Sequence, residues 1–253
     1  MPEFELDGRS ALVTGGSTGI GRATVLALAD AGACVTVADV NERDAASVVE
    51  DVRRGGGEAQ FVRTDVSVPA QVEAAVAAAT RAFGGVDCAV NAAAVTLKNV
   101  RVPTAEVDIE LFDRIIAVDL RGTFLSMKYE LRQMAQQGRG SVVNISSGSG
   151  LVATKFNPSY IAAKHGVIGL AKAAAMDYAG TGIRVNVVVP GVTRTPMIAD
   201  IPADYLANVE AGIPLQRVAE PHEIANAIVW LCSPLSSYAT GSTLVVDGGY
   251  TAQ

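Results

Sequence analysis

The sequence predicts an α/β fold in which a seven-stranded parallel sheet is doubly wound, with helices on both of its faces. Three observations lead to this prediction. Short β-branched segments alternate with longer segments rich in Ala and Leu, which is the pattern of a parallel sheet covered by helices. Several of the short segments are apolar nearly throughout, as strands buried on both faces are. A glycine-rich turn follows the first strand and opens a helix.

Seven segments have the composition and length of strands. They are 10–15, 34–39, 59–65, 86–91, 140–146, 183–190 and 242–248. The segments between them with helical patterns are 19–32, 42–54, 69–83, 108–137, 158–179 and 221–233. Pro69, Pro158 and Pro221 stand near expected helix starts, where proline is favoured.

The domain organisation is expected to be simple. The sequence has no internal repeat, low-complexity tract or Pro/Ser-rich linker to mark a boundary, so we expect one domain over residues 1–253. Segment 192–220 is the long stretch between strands that lacks a single clean helical pattern. Long irregular insertions in compact domains often form lids or binding loops, so we expect a substrate-binding insertion at about 192–220.

The composition favours a small-molecule ligand. Hydrophobic residues make up 49% and charged residues 18% of the chain, as in a folded globular protein. The net charge of −6 opposes a nucleic-acid or anionic-membrane partner. No apolar run reaches a membrane-spanning length, and the N-terminal MPEFELDGRS lacks the basic start and apolar run of a secretion signal. We therefore expect a cytoplasmic protein.

The cysteines and histidines predict neither a disulfide frame nor a metal site. Cys34, Cys88 and Cys232 are far apart within apolar stretches, as small buried hydrophobes of a reducing compartment are. His165 and His222 have no cysteine or carboxylate at a spacing that would build a zinc site.

The glycine-rich turn, TGGSTGIG, places Gly15, Gly19 and Gly21 between the first strand and the first helix. Glycines permit a tight turn and the close approach of a pyrophosphate, whose charge the helix N-terminus favours. An ordinary strand-to-helix turn is the alternative for an isolated match. The position of this turn within a βαβ unit favours a Rossmann-like dinucleotide site.

Asp39 ends the second strand, where a carboxylate accepts hydrogen bonds from both hydroxyls of an adenosine ribose. The same charge repels a 2′-phosphate, and the neighbouring Ser17, Thr18, Val40 and Asn41 offer no basic group to offset it. NAD is therefore expected in preference to NADP. The alternative role of Asp39 is to cap the helix that begins near Asn41.

The stretch NPSYIAAKH, residues 157–165, pairs a tyrosine with a lysine. Asn157 is a good N-cap and Pro158 suits the first helical position, so Tyr160 falls in the first turn and Lys164 one turn further along the same face. A nearby ammonium and the positive helix end both favour a phenolate. Tyr160 is thus a candidate acid/base; the alternative is a pair of solvated neighbours.

With its partners, this pair resembles the short-chain dehydrogenase/reductase family, in its single-domain branch, over essentially all 253 residues. TGGSTGIG is similar to the family's cofactor turn, which implies contacts from Ser17 and Ile20 beside the glycines. YIAAK is similar to its Tyr-x-x-x-Lys motif. Ser147, in NISSG, stands 13 residues before Tyr160, as the family's catalytic serine does.

Further stretches resemble the family's cofactor contacts. TDV at 64–66 is similar to the adenine-contacting stretch and implies Asp65 and Val66. PGVTRTP at 190–196 is similar to the segment that holds the nicotinamide carboxamide and implies Thr193 and Thr195. STLVVDGG at 242–249 is similar to the closing strand.

Two positions depart from the family pattern. The usual Asn-Asn-Ala-Gly after the fourth strand is NAAA here, so Asn91 and Ala93 match and Ala92 and Ala94 do not. Asp119 stands where many relatives have the asparagine of a Ser-Tyr-Lys-Asn tetrad. An ionised carboxylate accepts hydrogen bonds but donates none. Asp119 either holds a relay water near the lysine or is a structural residue of a long helix.

The resemblance implies a mechanism and assigns roles. Ser147 orients and polarises the substrate oxygen, Tyr160 takes the alcohol proton, and Lys164 assists the tyrosine and binds the nicotinamide ribose, while hydride passes to or from NAD. Ser146 and Ser149 compete for the serine's role, but only Ser147 has the family spacing; the other two are expected to make loop hydrogen bonds.

The insertion supplies a largely apolar set of side chains, which predicts an apolar secondary alcohol or ketone, cyclic ones included, as substrate. The alternative is that half of the set packs the insertion against the core. The set is Met197, Ile198, Ile201, Tyr205, Leu206 and Ile213.

Other functions and the assembly stay open at this point. A 3-oxoacyl (acyl-carrier-protein) reductase is the rival enzyme, and an NAD-binding regulatory protein without turnover is the rival of another class. Helices 108–137 and 158–179 resemble those that pair across subunits in family tetramers, which predicts a homotetramer; their apolar faces fit the monomer core equally well.

Overall fold

All seven expected strands are present and form one parallel sheet. The computed structural model describes residues 4–95, 102–200 and 202–252. The sheet has the order β3-β2-β1-β4-β5-β6-β7, with every neighbouring pair parallel. The strands are β1 (Ser10–Thr14), β2 (Cys34–Asp39), β3 (Ala59–Arg63), β4 (Cys88–Asn91), β5 (Gly140–Ile145), β6 (Ile183–Pro190) and β7 (Thr243–Val246).

Helices cover both faces of this sheet, which confirms the doubly wound α/β prediction. Side chains of α1, α2 and α8 pack on one face and those of α3, α5 and α6 on the other. No helix among the described residues has the length and apolarity to cross a membrane. The α-helices are α1 (Gly19–Asp30), α2 (Glu42–Arg54), α3 (Pro69–Phe83), α4 (Ile109–Ile115), α5 (Thr123–Gln137), α6 (Pro158–Asp177), α7 (Ala203–Ala211) and α8 (Pro221–Cys232).

The alternation of side chains along β1 shows how the sheet is buried. Ala11 and Val13 belong to the core on the α1 side, while Leu12 belongs to the core on the α6 side, because successive residues of a strand point to opposite faces. The strand order reverses between β1 and β4. In open parallel sheets, ligands bind in the crevice beyond the carboxyl ends of the strands at this reversal.

The long helix expected over 108–137 differs from prediction in its centre. The helical chain is continuous, but a π-helical segment, Ile116–Gly122, separates α4 from α5. Gly122 makes the close packing of this segment possible, since a Cβ there would lie 2.7 Å from Cγ2 of Val66. Such π-helical turns occur frequently at functional sites, and this one carries Asp119.

The fourth strand and the insertion also differ from prediction. The fourth strand begins at Cys88 and not at Val86, because the side-chain amide of Gln137 pairs with the N–H and C=O of Val86 at 2.9 and 3.0 Å in place of a strand. The insertion is more regular than expected, since it contains α7 and a parallel bridge between Thr193 and Ala219.

Candidate active site

The glycine turn joins β1 to α1 at the sheet's reversal point. Gly15 and Gly19 have φ of +66° and +54°, the left-handed region that glycine occupies without strain. A Cβ on Gly21 would overlap the carbonyl oxygen of Gly15, and one on Gly15 would lie 2.6 Å from the main chain of Ala93. Gly15 and Gly21 are thus required by close main-chain contacts, and Gly19 by its left-handed backbone conformation.

The N-terminus of α1 is suited to an anion. Thr18 is the N-cap residue, but its side chain makes no capping hydrogen bond. The first N–H groups of a helix need an acceptor from outside the helix, and they attract phosphate oxygens. This end of α1 fits the pyrophosphate of a dinucleotide, as the sequence predicts.

Asp39 lies beside the glycine turn and holds it. Its Oδ2 accepts hydrogen bonds from the N–H and the hydroxyl of Ser17 at 3.0 and 2.6 Å, and its Oδ1 accepts from the N–H of Asn41 at 3.0 Å. The alternative role of Asp39 as the cap of α2 is wrong. Asn41 caps that helix, because its side chain accepts from the N–H of Asp44.

Two side chains of the TDV stretch at 64–66 have different surroundings. Asp65 accepts from the N–H and hydroxyl of Ser67 at 2.9 and 2.6 Å. The bond to the Ser67 hydroxyl is the main cause of a lowered pKa at Asp65, which partial burial opposes. Val66 is buried in an apolar cluster with Val72 and Leu125, so only its main chain is available for a ligand.

Two other predicted cofactor contacts also have buried or partly buried side chains. Ile20 packs against the core on the α1 side. Asn91 is 2% exposed, and its Nδ2 donates to Oε2 of Glu130 and Oδ1 of Asn144, both at 3.0 Å. This side-chain amide joins β4 and β5 to α5, and Asn91 stays a predicted cofactor contact.

Glu130 is a buried carboxyl that our sequence analysis did not single out. Its side chain is fully buried, and burial raises the pKa of Glu130 to about 7 despite the opposing hydrogen bond from Asn91. Its helical spacing could have indicated this burial, because Glu130 lies four residues after the buried Ser126 and four residues before the buried Met134. Positions four apart share one helix face, and here that face is the core.

Tyr160 and Lys164 are neighbours, as their spacing predicts. The Lys164 Nζ lies 5.4 Å from the centroid of the Tyr160 ring. The ammonium donates to the carbonyl oxygen of Ile145 at 3.2 Å and lies 3.5 Å from Oδ2 of Asp119. The lysine is buried and the tyrosine is half-buried. A fixed cation therefore stands beside a phenol at the carboxyl end of β5.

The start of α6 differs from expectation in one contact. Pro158 occupies the first turn and Asn157 the N-cap position, but the Asn157 side chain makes no capping hydrogen bond. Its ψ of 48° lies outside the extended region that N-cap residues ordinarily adopt.

The three candidate serines have separate contacts. Ser146 is buried and donates to the carbonyl oxygen of Lys164 at 2.8 Å, which joins the end of β5 to α6. Ser147 is half-buried, and its Oγ accepts from the N–H of Ser149 at 3.2 Å. Ser147 thus combines partial exposure with a hydroxyl proton to donate, next to the residue that anchors the lysine's helix.

Asp119 is fully buried within the π-helical segment. Its Oδ1 accepts from the N–H of Val95 at 2.8 Å, and its Oδ2 faces Lys164. Burial raises the pKa of Asp119, while the charge of Lys164 and the Val95 amide oppose the rise. The structure therefore places the Asp119 carboxylate next to Lys164. A purely structural role within a long helix does not account for this contact.

The insertion begins against the glycine turn. The hydroxyl of Thr193 is buried and donates to the carbonyl oxygen of Gly191 at 3.0 Å. Thr195 lies over Gly19, whose Cβ would be 3.0 Å from the threonine Cγ2. Of the two predicted threonines, Thr195 is thus the one whose side chain borders the turn.

The apolar side chains of the insertion divide into two groups. Met197 and Tyr205 are 39% and 43% exposed, and Ile198 and Leu206 are half-buried. Ile213 is buried and packs against Gly248. Ile201 lies outside the described residues.

Comparisons with known proteins give one consistent family. A family model described as enoyl-(acyl carrier protein) reductase matches residues 15–251. A 2,5-dichloro-2,5-cyclohexadiene-1,4-diol dehydrogenase of Sphingobium indicum is 44% identical and covers 98% of this chain and 99% of its own. A cis-4-hydroxycyclohexanecarboxylate dehydrogenase of Sinomonas cyclohexanicum is 43% identical, covering 96% and 97%. A crystal structure of a short-chain type dehydrogenase/reductase from Mycobacterium marinum superposes with a TM-score of 0.93 at 38% identity, covering 99% and 98%.

Proposed function

The chain belongs to the short-chain dehydrogenase/reductase family, and on this premise we propose that it is an NAD-dependent dehydrogenase of apolar secondary alcohols, cyclic ones included. The reaction interconverts such an alcohol and its ketone. The observation that carries the proposal is the Lys164 ammonium 5.4 Å from the Tyr160 ring, at the end of β5 that also bears Ser147.

The crevice between β1 and β4 is the proposed NAD site. The uncapped N-terminus of α1 would receive the pyrophosphate, and Gly15 and Gly21, which lack a side chain, allow the close main-chain packing of the turn. Asp39 would accept from the adenosine ribose, since the carboxylate has lone pairs beyond those used by Ser17 and Asn41. Its charge supports NAD over NADP. Asp65, Val66, Asn91, Thr193 and Thr195 remain proposed contacts.

Proton transfer is assigned to Tyr160. During oxidation the phenolate oxygen of Tyr160 takes the hydroxyl proton of the substrate, and the Ser147 hydroxyl donates a hydrogen bond to the same substrate oxygen. Lys164 keeps a positive charge beside the phenol, which favours the deprotonated form. When NAD is bound, its nicotinamide ring supplies the acceptor for the hydride of the carbinol carbon.

The proposed substrate class follows from exposed apolar side chains near these groups. Val152 and Phe156 lie between the serine turn and α6 and are 37% and 47% exposed, and Met197 and Tyr205 add exposed apolar surface from the insertion. The two curated relatives are named for diols or hydroxy acids of six-membered carbocycles. A ring of this size with a secondary hydroxyl is therefore the first substrate to test.

A 3-oxoacyl thioester reductase is the second candidate. The description of the matching family model, which names an acyl carrier protein, favours it. This function would ordinarily require NADPH. Comparing reduction of an acyl thioester with NADPH against oxidation of a cyclic alcohol with NAD separates the two candidates, and a strong NADPH preference would also refute the role assigned to Asp39.

For the assembly and location we propose a cytoplasmic homotetramer. Phe124 on α5 and Met176 on α6 are 46% and 66% exposed, which leaves apolar surface for helix pairing between subunits. The cysteines of the described chain are free, as expected in a reducing compartment. Sedimentation analysis tests the tetramer.

The decisive experiment follows NADH absorbance with a panel of cyclic and long-chain secondary alcohols. We expect turnover with wild type and none above background with Tyr160→Phe, while both bind NAD with similar affinity in calorimetry. Tyr178→Phe, at the other end of α6, is the matched control and should keep wild-type turnover. NAD binding without turnover on any alcohol or ketone would favour the regulatory protein, and unchanged turnover in Tyr160→Phe would remove the proposed acid/base.

A further inference from the structure

Asp119 and Lys164 form an ion pair that is closed to water. The two side chains are 0% and 3% exposed, and Oδ2 lies 3.5 Å from Nζ. This distance is long for a hydrogen bond, and Oδ2 has no hydrogen-bond partner among the described residues. The contact is therefore one of charge with charge, and each ion would be costly to bury without the other.

The ammonium of Lys164 is held from two directions. The carbonyl oxygen of Ile145 accepts one of its protons at 3.2 Å, and the carboxylate of Asp119 lies on another side. Both partners are on elements other than α6, namely β5 and the π-helical segment. The lysine head is thus fixed relative to the sheet.

The second oxygen of Asp119 ties this pair to the chain beyond β4. Oδ1 accepts from the N–H of Val95 at 2.8 Å. An asparagine could accept from Val95 with its amide oxygen, but its NH2 group would then face the ammonium with donors only. Only a carboxylate serves both partners.

We infer that Asp119 is a positioning residue whose charge holds the Lys164 ammonium beside Tyr160 and partly cancels its field there. The inference rests on the proposed function, since it concerns how Tyr160 is kept ready. Removing the negative charge would leave a net positive centre near the phenol, which favours the phenolate more strongly.

Other charged groups on the surrounding elements point elsewhere. Arg121 donates to the carbonyl oxygen of Ser67, and the exposed His165 lies 2.9 Å from the carbonyl oxygen of Ile161. Glu130 bonds with Asn91, and Arg184 donates to carbonyl oxygens of Leu231, Ser233 and Ala239. Segments 140–145 and 148–150 contain no titratable side chain.

The first test compares Asp119→Asn with Asp113→Asn, an exposed position on α4 where the same charge is removed. The readout is the pH profile of kcat/KM for oxidation of a cyclic alcohol. Because the charge beside the Lys164 ammonium changes only in Asp119→Asn, we expect the acid limb of this profile to shift to lower pH in Asp119→Asn and to stay in place in Asp113→Asn. An acid limb that is unmoved, or that shifts to higher pH, in Asp119→Asn would overturn the inference.

The second test is a double-mutant cycle on thermal unfolding with Asp119→Asn, Lys164→Met and both together. If the two charges compensate each other, the double variant is more stable than either single variant. This holds even where one single variant fails to fold, because recovery in the double variant is then the expected result. A double variant no more stable than its weaker parent would refute the pair. This second test does not depend on which alcohol is the substrate.

Discussion

Asp39 receives two hydrogen bonds from Ser17, one from the main-chain N–H at 3.0 Å and one from the hydroxyl at 2.6 Å. The carboxylate at the end of β2 therefore shapes the glycine turn before any ligand arrives. Ser17 is 2% exposed, and its hydroxyl is held by Asp39.

Asp39→Ala should weaken NAD binding roughly tenfold or more, since hydrogen bonds to a charged group contribute about 1.5–3 kcal/mol each. The preference for NAD over NADP should fall, because the repulsion of the 2′-phosphate is lost. Ser17→Ala is the matched control: it removes one donor but keeps the charge, so affinity should fall less and the preference should persist. Dissociation constants for both dinucleotides check this, and an unchanged preference in Asp39→Ala would contradict the assignment.

Gly21→Ala should abolish dinucleotide binding or destabilise the fold, because the new methyl would overlap the Gly15 carbonyl oxygen in a turn fixed on both sides. Gly55→Ala, at the end of α2, is the control. Its φ is −75°, and the nearest atoms to a Cβ are at 3.4 and 3.6 Å, which is ordinary contact. The control should be neutral or stabilise by about 0.5 kcal/mol. Calorimetric binding and thermal unfolding of both variants check the contrast.

Most of the fold could be predicted from the sequence because it depends on strongly patterned segments. Each strand segment found a strand, and Pro69, Pro158 and Pro221 lie in the first turns of their helices. The π-helical segment was not predictable, since a shift from α to π geometry leaves the residue pattern of a helix intact. The segment also makes a contact distant in sequence, that of Gly122 with Val66, which no local pattern contains.

In the candidate site, too, the local contacts could be predicted from the sequence and the contacts between distant segments could not. Local spacing was sufficient to predict that Tyr160 and Lys164 are neighbours, because both lie on one helix. The contact of Asp119 with Lys164 and the turn of Asn91 toward Glu130 required strand order and helix packing. Neither contact can be predicted from the residue spacing within a single segment.

Glu130→Gln should change how stability depends on pH. The folded-state pKa of Glu130 is about 7, against an ordinary value of 4.5, so the folded protein binds this proton more tightly than the unfolded chain. The contribution is fully present below about pH 4.5 and is lost as pH rises through 7. It amounts to about 3 kcal/mol as an upper limit.

The glutamine variant lacks this titration, so its free energy of unfolding should fall less between pH 5 and 8 than that of wild type and should exceed it at pH 8. Denaturant unfolding at several pH values measures this. Glu58→Gln, at an exposed glutamate before β3, should track wild type. Parallel curves for Glu130→Gln and wild type would show that Glu130 does not titrate in this range.

Phe156→Gly should separate strain from substrate binding. Phe156 has a φ of +65° and is 47% exposed, a conformation that costs a non-glycine residue about 1 kcal/mol. Strained residues of this kind cluster at functional sites. Glycine removes the strain, so thermal stability should rise, while loss of the ring should raise KM for cyclic alcohols several-fold with little change in kcat. Glu5→Gly relieves a similar φ of +52° at the amino end of β1 and should leave KM unchanged. Equal KM values for the two variants would show that Phe156 does not contact substrate.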